Sequence, residues 1–118
     1  MKLAAGRVRS AMLIGGGRIA YYLAKQLVEA GLDVKIIESD PARCEELSVL
    51  LPKAEILRGD GTNEAFLRKC GIETTGAVAA LTGIDEENVL IGMYIRKTWP
   101  KIKGITKVNR TSFQSIID

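Results

Sequence analysis

Residues 11–38 constrain the fold of this chain more than any other stretch. The apolar run Ala11, Met12, Leu13, Ile14 meets Gly15, Gly16, Gly17, Arg18, Ile19, Ala20, and a second apolar run ends at Glu38. Strand, glycine-rich turn, helix, strand and terminal acid, in that order, make the arrangement of a dinucleotide site.

Each position has a physical reason. Gly15 permits a tight turn at the strand end, where a side chain would clash or require a costly positive φ. Gly17 lets the backbone approach a pyrophosphate, and Ala20, the tolerated substitute for a third glycine, lets the helix pack near the sheet. The unpaired N–H groups of residues around Arg18 and Ile19 are expected to point at phosphate oxygens, with the helix dipole adding to the attraction. Glu38 follows about twenty residues after Gly17, where a carboxylate accepts hydrogen bonds from both hydroxyls of an adenosine ribose. Such charge-assisted bonds contribute about 1.5–3 kcal/mol each.

Glu38 also selects among nucleotides. A 2′-phosphate would face a like charge, and the next residue is Ser39 rather than an arginine. NAD or NADH is therefore favoured over NADP. Adenine nucleotides such as ATP and ADP remain compatible, because they too offer an unphosphorylated ribose. S-adenosylmethionine is disfavoured: Ile14 stands where related methyltransferases carry an acid before the first glycine.

Composition sets the outer bounds. The 118 residues are 47% hydrophobic and 26% charged, which predicts one globular domain with its own core. Seventeen basic and fourteen acidic residues are scattered without a basic block, so nucleic acid is not an expected partner. No apolar run has the length of a membrane span, and residues 1–6 lack the apolar core of a signal peptide, so a cytoplasmic location is the default expectation. Cys44 and Cys70 have no metal-ligand spacing and the chain has no histidine, so neither a zinc site nor a disulfide scaffold is expected.

Apolar strands alternate with helical patterns, predicting an α/β fold: a single Rossmann-like, doubly wound parallel sheet over residues 9–118, after a short tail at 1–8. The first helix places Ile19, Leu23 and Leu27 on one face and stops at Ala30 and Gly31. The second strand covers 34–37. Asp40 caps a second helix with Pro41 at its first position, running to Leu51. A third strand at 55–58 precedes a helix opened by Asn63, and the continuously apolar 76–81 predicts a strand buried on both faces. Asp85, Glu86 and Glu87 open a fourth helix that ends at Pro100. A fifth strand is expected over 104–108, and Thr111 with Gln114 has capping-box spacing for a last helix. That helix has scarcely begun at Asp118, which suggests a portion of a longer polypeptide.

In an open parallel sheet the ligand lies beyond the carboxyl ends of the strands. Candidate contacts are therefore Gly15, Gly16, Gly17, Arg18, Ile19, Glu38, Asp60, Thr82, Gly83 and Lys107. Asp60 has two readings, ribose or adenine contact and cap of the third helix with Thr62. Thr82 reads as facing the glycine turn or as capping its own turn, and Lys107 as a phosphate contact or a solvated strand end.

With the runs Gly59, Asp60, Gly61, Thr62 and Thr82, Gly83, Ile84, Asp85, Glu86, Glu87, Asn88, the chain resembles the RCK, or KTN, family, the TrkA N-terminal type of domain found in potassium transport proteins. The last run fits T-x-x-D-E-x-N, which general dehydrogenases lack. The resemblance covers nearly everything from Arg9 onward. It implies that Gly15, Gly16, Gly17, Arg18, Ile19, Glu38, Thr82, Gly83 and Lys107 contact NAD, although related domains often have arginine at the last position.

The resemblance further implies a regulatory domain rather than an enzyme. In this family nucleotides bias the arrangement of paired domains, as homodimers or larger rings, on an integral-membrane potassium transporter at the inner face of the membrane. The competing reading is the cofactor domain of an NAD-dependent dehydrogenase. Tyr21 and Lys25 have the Y-x-x-x-K spacing of short-chain dehydrogenases, but they lie one turn past the glycine loop, far from where that family places its catalytic pair. No catalytic residue is assigned. Met93 and Tyr94 on the fourth helix read first as core and second as an interface.

Overall fold

The computed structural model describes residues 8–105. It contains β1 (Ser10–Ile14), α1 (Arg18–Glu29), β2 (Asp33–Glu38), α2 (Pro41–Leu50), β3 (Glu55–Arg58), α3 (Glu64–Lys69), a 3-10 turn at Ile72–Thr74, β4 (Ala77–Ala80), α4 (Asp85–Thr98) and β5 (Lys103–Ile105). All strand pairs are parallel, in the order β3-β2-β1-β4-β5. The chain winds outward from β1 through β2 and β3, then crosses to β4 on the other side. The order therefore reverses between β1 and β4, and a crevice opens there at the carboxyl ends of the strands.

Period-two alternation divides the core. Ala11 and Leu13 of β1 join Ala20, Leu23, Ala24 and Leu27 of α1 and Leu47 of α2 on one face. Met12 and Ile14 join Leu67 of α3 and Ile91 and Ile95 of α4 on the other. Both faces of β1 and β4 are thus covered, and all four residues of β4 are buried. Fully burying a leucine or isoleucine contributes about 1.5–3 kcal/mol, so these two clusters hold the sheet that carries the crevice.

The predicted helix signals operate as expected. Asp40 accepts from the Ala42 N–H at 3.1 Å with Pro41 at the first position. The Asn63 side chain accepts from the Phe66 N–H at 2.9 Å, and Gly31 takes φ +92° just after α1. Ile19 differs from expectation, for it is 58% exposed. The buried stripe of α1 begins one residue later, at Ala20, because the first turn of the helix lies at the crevice rather than over the sheet. Met93 and Tyr94 are also exposed, at 59% and 37%, not core: the inward stripe of α4 is Ile91 and Ile95. Cys70 caps the end of α3. The expected strand 76–81 is trimmed to Ala77–Ala80, and β5 begins one residue early, at Lys103. Lys107 and the helix signalled by Thr111 and Gln114 lie outside the described residues.

Candidate nucleotide cleft

The glycine turn is locked from three sides. Gly15 donates to Ile37 O at 2.8 Å, and Leu81 N donates to Ile14 O at 2.7 Å. At φ +107° a Cβ on Gly15 would sit 2.5 Å from Leu81 O, so the turn and the end of β4 pass too closely for any side chain. A Cβ on Gly16 would lie 2.6 Å from Leu47 Cδ1. Gly17 is different: at φ −78° it has ordinary backbone geometry, and nothing lies within 4 Å of where its Cβ would be. Packing does not require glycine there, and open space above the backbone is what a closely approaching ligand requires.

Gly17 is the N-cap of α1 and provides no side-chain cap. Among the described residues, the N–H groups of Gly17, Arg18 and Ile19 have no hydrogen-bond acceptor. Such orphan donors at a helix start form a ready anion site.

Glu38 closes the adjacent wall. Its Oε1 accepts from the Gly16 N–H at 2.8 Å and its Oε2 from the Asp40 N–H at 2.8 Å. Each oxygen keeps a further lone pair, so the carboxylate is fixed yet able to accept more bonds. On the α2 side, Arg43 Nε donates to Gly16 O at 2.6 Å. Both backbone polar groups of Gly16 are therefore held by side chains.

Across the crevice, Asn88 holds Thr82. Asn88 Oδ1 accepts from the Thr82 N–H at 2.8 Å and from its hydroxyl at 2.7 Å, while Asn88 Nδ2 donates to Thr82 O at 2.9 Å. The first and last residues of the T-x-x-D-E-x-N run are thus bonded through three contacts that shape the loop after β4. The acids between them fill the first turn of α4.

Asp60 accepts from the Thr62 N–H at 2.9 Å and from the Thr62 hydroxyl at 2.7 Å. These two bonds hold its carboxyl below the usual aspartate range. It closes an Asx turn ahead of α3, whose cap is Asn63, so the capping role expected of Asp60 and Thr62 belongs to the next residue. Gly61 beside it is demanded by packing, since a Cβ would lie 2.2 Å from Ile14 Cγ2.

One cleft of about 770 Å³ brings together Gly15, Gly16, Gly17, Arg18, Ile19, Glu38, Asp60, Thr82 and Gly83. Every described member of the sequence-derived set is therefore in one place. Ser39, Leu81 and Glu87 also line it and were not singled out. Strand-end position marks the first two; Glu87 reaches the cleft from the first turn of α4, a placement that depends on tertiary packing. Tyr21 and Lys25 are not among the lining residues. Below the cleft, the Cys44 thiol contacts Glu38 O at 3.4 Å. Burial chiefly, and then the Glu38 charge, push its pKa up, with Arg58 opposing.

Fold and cleft together define a Rossmann-like domain. The chain belongs to the TrkA-N domain family, which residues 11–118 match. It is 35% identical over 108 residues to the Trk system potassium uptake protein trkA homolog 1 of Methanosarcina mazei, covering 91% of this chain and 26% of that protein. The chain thus spans about a quarter of the length of this relative. Among solved structures, the TrkA-N domain of the inner membrane protein ybaL from Escherichia coli superposes with a TM-score of 0.74 at 21% identity, over 93% of this chain and 80% of that one. The AMP-bound Kef CTD of Shewanella denitrificans gives 0.68 at 18% identity, over 80% of this chain and 56% of that one. At these identities the likeness shows a common fold.

Proposed function

We propose that the cleft binds NAD or NADH and that this domain is a regulatory, non-enzymatic part of a potassium uptake system. The observation that carries the reading is the Glu38 carboxylate, held by the Gly16 and Asp40 N–H groups in the same cleft as the orphan donors of residues 17–19. Glu38 would take the adenosine ribose, those N–H groups the pyrophosphate, and Thr82 and Gly83 the opposite wall. The bound nucleotide supplies an occupancy signal, and this chain's residues supply recognition and orientation.

Selectivity follows from charge. A unit negative charge about 4 Å from Glu38 is opposed by about 1–4 kcal/mol across effective dielectrics from water to a protein surface, so NADPH is disfavoured. ATP and ADP carry no 2′-phosphate and are admitted by the same carboxylate. For regulation, occupancy must favour one of two arrangements; a tenfold difference in affinity supplies about 1.4 kcal/mol of bias. The relatives' names support a potassium uptake system as the setting; in this reading the partner is an integral-membrane potassium transporter, and paired copies of the domain dock on it at the cytoplasmic face. No helix among the described residues is long and apolar enough to cross a membrane.

Thermal melting with each nucleotide tests the assignment. At 100 times its Kd a ligand stabilises by about 2.7 kcal/mol, so NADH should raise the Tm by several degrees and NADPH should not. Equal shifts would remove Glu38 from the ribose. A larger shift with ATP would make the domain a sensor of adenylate charge. Oxidation of NADH on addition of simple aldehydes or keto acids would restore the dehydrogenase reading.

A further inference from the structure

The bond between Arg43 and Gly16 points to a role in phosphate recognition for a residue that does not line the cleft. Gly17 O is the first backbone acceptor of α1 and takes the Tyr21 N–H at 3.0 Å. Gly16 O instead takes Arg43 Nε at 2.6 Å. The peptide bonds of the described residues are all trans, and in a trans peptide the C=O of one residue and the N–H of the next point in opposite directions. Drawing Gly16 O toward α2 therefore turns the Gly17 N–H away from α2. Gly17 lines the cleft, and nothing lies within 4 Å of where its Cβ would be.

We propose that Arg43 is a positioning residue for nucleotide phosphate: through its bond to Gly16 O it aims the Gly17 N–H into the cleft. The proposal rests on the nucleotide reading of the cleft. The guanidinium has little other engagement, since its further contact, Nη1 to Glu46 Oε1, is long at 3.9 Å. Glu38 holds the other end of the same residue through the Gly16 N–H at 2.8 Å. Ribose acceptor and phosphate donor are thereby set by two side chains pulling on one glycine.

Glutamine separates hydrogen bonding from charge, because its Nε2 lies the same number of bonds from Cα as arginine Nε and donates without a positive charge. Leucine keeps similar bulk and donates nothing. NMR titrations of the wild-type chain, Arg43→Gln and Arg43→Leu with ADP-ribose and with adenosine would read both affinities and the Gly17 amide. We expect Arg43→Leu to lose at least about tenfold in ADP-ribose affinity, Arg43→Gln to stay within about threefold, and adenosine affinity to stay within about twofold throughout. The Gly17 amide signal should move with ADP-ribose and not with adenosine. Equal loss in both variants would overturn the proposal in favour of charge attraction, and unchanged ADP-ribose affinity in Arg43→Leu would overturn it outright. Parallel loss of adenosine affinity would assign Arg43 to general folding. Failure of the wild-type chain to bind either ligand would instead overturn the nucleotide reading.

Discussion

The Gly16 N–H donates to Glu38 Oε1 at 2.8 Å, so the side chain assigned to the ribose also fixes the turn assigned to the phosphates. Recognition of the two halves of an ADP moiety is consequently coupled through one backbone amide. Glu38→Ala removes an acceptor from the ligand and frees the turn at once. We predict that it weakens NADH binding by more than tenfold, measured by fluorescence titration; unchanged affinity would place the ribose elsewhere.

Gly15 and Gly17 are two residues apart and should behave in opposite ways. Gly15→Ala combines a left-handed φ with a Cβ 2.5 Å from Leu81 O, and strain of this kind costs about 1–3 kcal/mol before the clash is counted. Gly17→Ala has an ordinary φ and open space, so its stability should stay within about 0.5 kcal/mol of the parent. Its methyl group would occupy the space over which phosphate must pass. Chemical denaturation should show Gly15→Ala destabilised and Gly17→Ala unaffected, while NADH titration of Gly17→Ala should show a loss of at least about tenfold.

Asn88 is predicted to act through Thr82. Asn88→Ala leaves the half-buried Thr82 N–H without its acceptor, and an unsatisfied group of this kind costs about 1–3 kcal/mol. Denaturant melts should register that loss. Asn88→Asp, which retains an acceptor for the Thr82 N–H and hydroxyl but no donor for Thr82 O, should fall between the two. A fully stable Asn88→Ala variant would mean that the loop after β4 is held by other contacts.

The pH dependence of Asp60 has a definite sign. Hydrogen bonds from Thr62 lower its folded pKa, so its contribution is fully present above the unfolded value and is lost as pH falls through the lower folded value. Asp60 is largely exposed, so the contribution is small. Following the Asp60 carboxyl by NMR should give a pKa below that of an unfolded reference peptide, and Thr62→Val, which removes the hydroxyl donor, should shift it upward. An identical value in both proteins would contradict the bonding pattern.

The sequence signals that carried over were those set by local chemistry. Asp40 with Pro41, and Asn63, start helices because their side chains satisfy nearby N–H groups within three residues. The glycine turn and Glu38 were legible because spacing along a strand–helix–strand unit fixes where they meet. What escaped depended on distant packing. Ile19 matches the apolar period of α1, yet the first helical turn faces the crevice and leaves it exposed. Arg43 gave no sign of its bond to Gly16, which is 27 residues away in the chain. Asn88 stood in the family pattern, but its hold on Thr82 depends on how the loop after β4 folds back onto the first turn of α4.

The central claim is that this cleft takes a nucleotide whose ribose hydroxyls meet Glu38. Calorimetric titration of the wild-type chain with NADH and, on the same preparation, NADPH tests it most directly. The account predicts saturable NADH binding at one site per chain and NADPH binding at least about tenfold weaker. Equal affinity for the two, or tighter binding of NADPH, would contradict it.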